Sequence, residues 1–523
     1  MRRTIIRSCW IGLLAAACGA PSSSPDSQLA LRFARQAVDG PCPEAPISNP
    51  QPPALDALEV VLTTATGERH ARKTISLAGD RPARVGGLKP GSGLRLTVIG
   101  LVGDEPRWLG SATDLTVHKA RTTYADVFMT RLAGVSCTPR PLHEARIWPA
   151  AAATGSGRTI IAGGANQGTD CGAGCTLYQA SAAADLFDTG TGVIFPAPRL
   201  NSARLLASAT VLPDGRVLVV GGARRLRVMA GEPFPLLVDE ADLVPTYEVY
   251  QPELERWVEK PLPERQGRIF HTATALPDGR VLVIGGGVDF ESARDDALLF
   301  DPAGESVGDF EPIADPMATP RLGHSAVWVE DRLLVLGGAV VINKSAVEEF
   351  VPAEQGGNFS ELPDGDAPIN LFFAAARVNP LWADEIVLAG GSIGDGEGGL
   401  LVPSIDNAWI YSVSAGTAEA LDALQAPRLM PAAAVLGDGS ILFAGGYTDL
   451  ELSPGGSLEI YDPATGGLRV PAGADGEAAL SVARGGCAAA AVGDGRALLA
   501  GGAGPSGPLA SGELFTAAAA PAD

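Results

Sequence analysis

Six arginines recur at regular intervals from residue 146 onward, and each precedes a Gly-Gly doublet by 16 or 17 residues. A guanidinium group presents a planar set of donors that suits carboxylates and other anions. Two interpretations are open: a ring of cations that receives an anionic ligand, or a repeated ion pair between neighbouring units, with acids such as Glu248, Glu348 or Glu459. The repetition favours the ion pair. The six are Arg146, Arg204, Arg268, Arg321, Arg428 and Arg484.

Other residues with catalytic potential are few. The chain has five histidines, and His271 and His324 each lie three residues after one of the arginines, which is typical of a repeat position. No nucleophile elbow and no phosphate-binding loop occurs. We therefore predict no catalytic residue and no enzyme, although a glycosidase with paired carboxylates leaves no local signature.

Two acidic loops are the remaining candidates for a metal. Asp289–Asp296 and Val238–Asp242 carry several carboxylates, but neither has the alternating ligands and the glycine of a calcium-binding EF-hand loop. The sequence thus predicts no cofactor, with calcium as the alternative.

The first 27 residues have the pattern of an export signal. Residues 1–17 combine arginines with a short apolar run that is too short to span a bilayer. Leu14–Gly19 resembles the bacterial lipobox, which implies lipidation of Cys18, with 18–27 as a flexible tether. Gly19 favours the outer membrane. The expected location is therefore outside the cytoplasm, lipid-anchored to the bacterial outer membrane.

The cysteines suit an oxidising compartment. Cys171 and Cys175 share one glycine-rich loop, where a local disulfide is expected. Cys42 and Cys137 bracket the first domain and are predicted to pair. Cys487 is then left as a buried, small apolar side chain.

The net charge of −21 argues against nucleic acid as a partner, because phosphate binding requires Lys and Arg. It also argues against docking on anionic lipid. Membrane contact is therefore predicted only through the N-terminal lipid.

Residues 28–134 are predicted to form a β-sandwich domain, because alternating apolar runs are separated by Gly, Pro and Asp. Val85–Ile99 partly resembles the turn and strand of fibronectin type III domains, through Gly87, Leu88, Pro90 and Gly91. Transthyretin-like sandwiches carry similar turns.

One unit repeats through the rest of the chain, and such a period indicates a propeller or solenoid. Each Gly-Gly doublet ends an apolar run and is followed by an aromatic residue. Turns such as Asp214-Gly215 suit hairpins. The doublets start at Gly163, Gly221, Gly285, Gly337, Gly390, Gly445 and Gly501, and the aromatic residues are Phe187, Tyr250, Phe300, Phe350, Tyr411, Tyr461 and Phe515.

This unit resembles the kelch repeat in its bacterial, galactose-oxidase-like style, over residues 135–516. The kelch tryptophan fits well only at Trp257. The resemblance implies an all-β, seven-bladed β-propeller over 135–517, preceded by the small β-sandwich domain and followed by a tail at 518–523. Segment 135–141 is expected to close the ring by pairing with the last blade, because open strand edges are a liability.

Copper radical oxidases of the kelch class use two tyrosines, one of them cross-linked to cysteine, and two histidines. Tyr447 follows a Gly doublet and Cys487 lies in the next blade, but no histidine lies beyond residue 324. We therefore expect no copper.

Three long loops are predicted on one face, and loops on a rigid scaffold commonly bind ligands. The leading hypothesis is a monomeric binding or scaffold protein of the cell envelope that presents this face to a protein or glycan. The alternatives are a glycan-acting hydrolase or sugar epimerase and a purely structural envelope protein. The loops are Ala165–Ala183, Ala223–Pro245 and Ser392–Asn407.

Overall fold

A computed structural model of the protein gives the architecture. Strands account for nearly all of its regular structure, with three short 3₁₀ turns. It describes residues 27–34, 42, 55–77, 83–154, 157–232, 235–289, 291–304, 307–340, 345–354, 356–363, 370–393, 406–473, 476–492 and 495–518. The signal segment and Cys18 lie outside these ranges.

Seven antiparallel sheets of four strands form a closed β-propeller. The innermost strand of each sheet, strand A, contacts strand A of the next sheet, and the seventh contacts the first. Strand A consists mainly of small residues, which allow close approach around the axis, whereas strand B is a continuous apolar run buried on both faces. Strands A to D are Ala150–Ala153, Arg158–Ala162, Ala184–Asp188 and Ile194–Pro196 in blade 1; Ser208–Val211, Val217–Val220, Thr246–Gln251 and Arg256–Pro261 in blade 2; Thr272–Ala275, Val281–Ile284, Ala297–Asp301 and Asp309–Pro312 in blade 3; Ser325–Val329, Arg332–Leu336, Val347–Pro352 and Gly357–Leu362 in blade 4; Ala375–Val378, Glu385–Ala389, Ala408–Ser412 and Thr417–Ala420 in blade 5; Ala432–Val435, Ile441–Ala444, Leu458–Asp462 and Gly467–Arg469 in blade 6; and Ala488–Ala491, Ala497–Ala500 and Gly512–Thr516 in blade 7.

The outermost strand of blade 7 comes from the other end of the propeller segment. Gly134–Cys137 pairs antiparallel with Gly512–Thr516, and Val135 lies opposite Phe515. This strand overlaps the segment 135–141 that was expected to close the ring. Cys137 is disulfide-bonded to Cys42, so a covalent bond also holds the closing strand; this pairing is confirmed.

Backbone hydrogen bonds join each blade to the next at the Gly-Gly doublets. The amide of the second glycine donates to a carbonyl of the following blade: Gly164 to Arg204 at 2.8 Å, and Gly502 to Arg146 at 2.8 Å where blade 7 meets blade 1. The first glycine, such as Gly163, adopts positive φ, and a Cβ there would collide with the Arg204 carbonyl oxygen. The doublets are therefore required by the close approach of neighbouring blades.

The N-terminal domain has two sheets that share one apolar core. It contacts the propeller through Arg496 of blade 7, which is fully buried. Arg496 donates to the Phe128 carbonyl of the N-terminal domain and to the Thr189 carbonyl of blade 1. One sheet contains Gln28–Ala34, Arg84–Val85 and Thr122–Phe128, and the other Ala57–Thr63, Arg69–Ser76, Gly91–Val102, Glu105–Val117 and Thr130–Arg131.

The first two long loops pair with each other in an additional sheet of four strands, the loop sheet, on one face of the propeller. The disulfide Cys171–Cys175 lies in its first hairpin and is also confirmed. The loop sheet contains Thr169–Gly172, Cys175–Gln179, Arg225–Met229 and Leu236–Leu237. The remaining short elements are Leu371–Phe372, Ser392–Ile393, Ala472–Gly473, Gly476–Glu477, Ala503–Gly504, Gly507–Pro508 and the 3₁₀ turns Glu240–Asp242, Pro252–Leu254 and Pro263–Arg265.

In the part of the chain that the structure describes, no helix has the length and apolar character needed to cross a membrane.

Candidate functional site at the channel mouth

Each blade contributes two consecutive residues to the mouth of the central channel, on the face that carries the loop sheet. They lie two and three residues after the blade arginine, or after Leu371 in blade 5. Together they line a cavity of about 300 Å³. The outer ring is Trp148, Leu206, Phe270, Gly323, Phe373, Met430 and Gly486, and the inner ring is Pro149, Ala207, His271, His324, Ala374, Pro431 and Cys487.

All seven outer-ring residues have left-handed backbone conformation, with φ between 52° and 59°. Bulky residues rarely adopt this region, and such strain concentrates at functional sites. The two glycines occupy places where a neighbour fills the space: a Cβ on Gly323 would lie 2.7 Å from the Phe373 ring, and one on Gly486 would lie 2.5 Å from Trp148. Five large apolar side chains thus surround the opening.

The loop sheet borders one side of this opening. The Tyr178 ring, on its central strand Cys175–Gln179, packs edge-on against Trp148, with ring centroids 5.4 Å apart. Apolar residues of the same sheet, such as Leu226, belong to the cluster that contains Trp148 and Phe270. The first two long loops therefore position aromatic surface at the mouth, whereas most of the third, 394–405, lies outside the described residues.

His271 and His324 each bond the preceding blade. Their Nε2 atoms lie 2.8 Å from the Ser208 hydroxyl and 2.9 Å from the Thr272 hydroxyl, respectively. Burial, reinforced by the arginine of the same blade, lowers the pKa of each imidazole to about 3. Both rings are therefore neutral at pH 7. Among the described residues, the buried Nδ1 atom of His324 has no hydrogen-bond partner, whereas the His271 ring also interacts with the Arg268 backbone.

Tyr447 and Cys487 lie on the opposite side of the mouth. Burial raises the pKa of the Tyr447 phenol well above its ordinary value and that of the Cys487 thiol to about 11, so both stay protonated at neutral pH. The Tyr447 hydroxyl and the neighbouring Trp148 Nε1 are both buried, and the hydrogen bond between these side chains offsets part of the rise in the Tyr447 pKa. The mouth thus holds polar ring atoms among its aromatic side chains.

The six arginines do not reach the cavity. Each is 0–1% exposed, bonds the carbonyl of the first glycine of its own doublet, and forms an ion pair within its own blade. This favours the ion-pair interpretation over a ligand-binding ring, but the partners are not in neighbouring blades as the sequence analysis had them. The pairs are Arg146–Asp185, Arg204–Glu248, Arg268–Asp296, Arg321–Glu348, Arg428–Glu459 and Arg484–Glu513.

Among its described residues, blade 5 has no such ion pair. Leu371 takes the arginine's place, because its carbonyl accepts from the Gly338 amide as Arg204 accepts from Gly164. Trp409 lies where the acid stands in most blades, two residues before the strand C aromatic. Leu371 and Trp409 belong to one buried apolar cluster. An apolar pair can replace a buried ion pair without loss of stability.

The acidic loops named as calcium candidates are engaged by arginines. Arg268 and Arg294 both bind Asp296, and Arg225 binds Asp242. No group of three or more His, Cys, Asp or Glu side chains able to hold a metal occurs among the described residues. Asp296 and Asp242 are therefore already neutralised by arginines.

Comparisons with known proteins give a partial match. No family model matches the chain. Galactose oxidase from Gibberella zeae is 35% identical over 117 residues, which is 22% of this chain and 16% of the relative. A fungal alcohol oxidase of the AA5 family, solved in complex with copper, has a TM-score of 0.53 at 18% identity, over 73% of this chain and 78% of that one. The structure of YjhT has a TM-score of 0.45 at 14% identity, over 63% and 98%.

The fold is a kelch-type, galactose-oxidase-like β-propeller. These comparisons contradict two predictions from the sequence: that the protein is not an enzyme, and that it has no cofactor. The curated relative is an oxidase, and the solved neighbour contains copper. The chain matches only about a sixth of the relative's length, so its own activity is a matter for proposal.

The residues at the mouth do not fit a copper site. Imidazole is a suitable copper ligand, and the described part of the mouth offers only His271 and His324. Both Nε2 atoms are occupied by hydroxyl contacts with the preceding blade. Tyr447 and Cys487 remain protonated and belong to blades 6 and 7. We therefore derive no step through copper.

Proposed function

We propose that this protein is a carbohydrate-acting enzyme that binds its substrate at the channel mouth. The proposal rests on one observation: a cavity framed by aromatic and apolar side chains also presents the polar ring nitrogens of Trp148, His271 and His324. A sugar ring has apolar faces that pack on aromatic rings and hydroxyl groups that bond such atoms. The shared sequence with proteins named galactose oxidase supports the same class of substrate.

The neutral state of the mouth supports an uncharged substrate. None of the fourteen lining residues carries a formal charge at pH 7, because the pKa values of His271 and His324 are depressed. An anionic sugar would lose hydration without gaining an opposite charge. Neutral sugars and primary alcohols are therefore the first compounds to test.

The relatives' name favours oxidation of a hydroxyl group as the reaction, with hydrolysis and epimerisation as the alternatives from the sequence. Calorimetric titration of the full chain with neutral mono- and oligosaccharides tests binding. Oxygen uptake, released reducing ends and inverted stereochemistry then distinguish the reactions, in protein assayed with and without added Cu²⁺.

Trp148→Ala should weaken sugar binding by about tenfold, the loss expected for one aromatic contact and one hydrogen bond. Trp382→Ala is the matched control, because Trp382 is 61% exposed on the A–B turn of blade 5, at the opposite face. Equal affinities for both variants, or no sugar bound by the parent chain, contradict the proposal. Binding without any turnover contradicts its enzymatic part.

We further propose that the protein is exported and anchored through Cys18. Two disulfides support an oxidising location. Mass spectrometry of the mature N-terminus in a bacterial host should find diacylglycerol on Cys18 and none in Cys18→Ser. An unmodified Cys18, or cleavage elsewhere, contradicts the anchor.

A further inference from the structure

A single arginine, Arg377, interrupts the neutral wall of the central channel. It lies six residues after Leu371 on strand A of blade 5. The other strand A segments are composed of Ala, Ser, Thr, Val and one Trp, so Arg377 is the only charged residue on the seven innermost strands. The corresponding residues of the other blades are Ala152, Thr210, Thr274, Val327, Ala434 and Ala490.

The Arg377 guanidinium is held at the inner rim of blades 5 and 6. Nη1 donates to the Ala376 carbonyl at 2.7 Å, and Nη2 donates to the Ala433 carbonyl at 2.6 Å. Both carbonyls belong to strands that form the inner edge of their sheets. Two N–H groups are thereby engaged, and three of the five guanidinium donors remain for another acceptor.

No carboxylate balances this cation in the described part of the chain. The six arginines that precede strand A in the other blades each pair with an Asp or Glu, whereas Arg377 bonds only carbonyl oxygens. Burial lowers the pKa of Arg377, and no charged neighbour contributes. The guanidinium stays charged, and the side chain is only partly buried, so an anion in the channel can reach it.

We propose that the channel binds a small monovalent anion, of the size of chloride, against Arg377. The guanidinium carries one positive charge, which a monovalent anion neutralises. The neighbouring strand Ala432–Val435 of blade 6 adds no charged residue beside the guanidinium. The flanking carbonyl oxygens of Ala376 and Ala433 repel a larger oxyanion such as phosphate. This site lies deeper than the channel mouth and does not depend on the function proposed there.

The test uses bromide as an anomalous scatterer in crystals of the full chain. A bromide peak at hydrogen-bonding distance from the Arg377 guanidinium supports the proposal. In parallel, the Tm is measured against increasing chloride, formate and phosphate at constant ionic strength, with a large inert anion as balance. The parent chain should show a saturable rise in Tm with chloride or formate.

Arg377→Gln should weaken that response by at least about tenfold, since it removes a charge-assisted hydrogen bond. Arg256→Gln removes an exposed arginine from blade 2 and should leave the response unchanged. Arg377→Lys keeps the positive charge and should retain part of the Tm response to chloride. This variant tests the proposal if Arg377→Gln folds poorly. A channel without bromide, a response to phosphate alone, or equal responses of Arg377→Gln and Arg256→Gln overturns the proposal.

Discussion

Arg321 and Glu348 form an ion pair that is wholly enclosed in blade 4: Nη2 lies 2.8 Å from Oε1, and neither side chain is exposed. The same arginine donates to the carbonyls of Gly337 and Ala346. The pair therefore joins the beginning of strand A to strand C and to the doublet of its own blade. Such a network stabilises only while every member has its partner.

Glu348→Gln should destabilise the protein by about 3 kcal/mol, because it leaves the Arg321 charge buried without a counter-charge. Urea unfolding measures the loss. Glu349→Gln is the matched control: Glu349 is the next residue of the same strand and pairs with the partly exposed Arg332 of strand B. Loss of this pair should cost about 1 kcal/mol or less. Equal losses would show that the enclosed pair has no special role.

The double variant Arg321→Leu/Glu348→Trp imitates blade 5, where Leu371 and Trp409 take these positions. Because both charges are removed, it should be more stable than Glu348→Gln alone. Urea unfolding of the two variants decides this, and a double variant that is the less stable of the two contradicts the comparison with blade 5.

His271 and His324 predict a pH dependence of stability. Their pKa values of about 3 in the folded state lie below the ordinary 6.5. Below pH 6.5 the unfolded chain binds protons that the folded chain does not, so stability falls as the pH falls. Each histidine contributes a slope of about 1.4 kcal/mol per pH unit.

Unfolding free energies between pH 6.5 and 5 measure this slope, above the range where most carboxylates titrate. His271→Gln should reduce it, even though the loss of the Ser208 contact lowers stability at every pH. His118→Gln, at an exposed position of the N-terminal domain, is the control. A slope that is the same in both variants argues against a neutral, buried His271.

The two disulfides should differ in their contribution to stability. Cys42–Cys137 closes a loop with a sequence separation of 95 residues, and Cys171–Cys175 one of 4. The loss of chain entropy in the unfolded state predicts about 4–5 kcal/mol for the first and about 2 kcal/mol or less for the second. Thermal unfolding of the two double-serine variants checks this, and a larger effect of the Cys171–Cys175 pair contradicts it.

The left-handed backbone of the outer ring predicts that Met430, which has φ 52°, can be replaced by glycine at little cost in stability. Met430→Gly removes side-chain packing but relieves backbone strain of about 1–2 kcal/mol, so its net cost should be small. Met430→Val places a β-branched residue in the same conformation and should be clearly destabilising. A calorimetric Tm that is higher for Met430→Val than for Met430→Gly would contradict backbone strain at this position.

Much of the fold was predictable from the sequence because close backbone approach leaves a signature. Only glycine fits beside the next blade's carbonyl at Gly163 and its counterparts, so the doublets mark the blade boundaries. The disulfide Cys42–Cys137 followed from the position of both cysteines at the limits of the first domain. The location of the arginine at the start of six of the blades also followed from its spacing.

The mouth was not predictable in the same way. Its outer ring contains Trp, Leu, Phe, Met and Gly, which share a backbone conformation rather than a residue type. One signal existed in the sequence. When the blades are aligned on their arginines, Gly323 of blade 4 and Gly486 of blade 7 take the position that Trp148 holds in blade 1. In blade 5 that alignment fails, because Leu371 stands in the place of the arginine. The enzyme and cofactor predictions failed because they rested on the few histidines and on the absence of local motifs, whereas residues of an active site can come from separate blades.

The supply of two mouth residues by every blade has an evolutionary consequence. The two residues lie in a short segment between the blade arginine, or Leu371 in blade 5, and strand A. A change such as Ala207→Trp therefore alters the part of the opening that one blade supplies and leaves the other six parts unchanged. Seven independently variable dipeptides can generate a very large repertoire of openings on an unchanged scaffold. Directed evolution of new specificities can therefore proceed blade by blade.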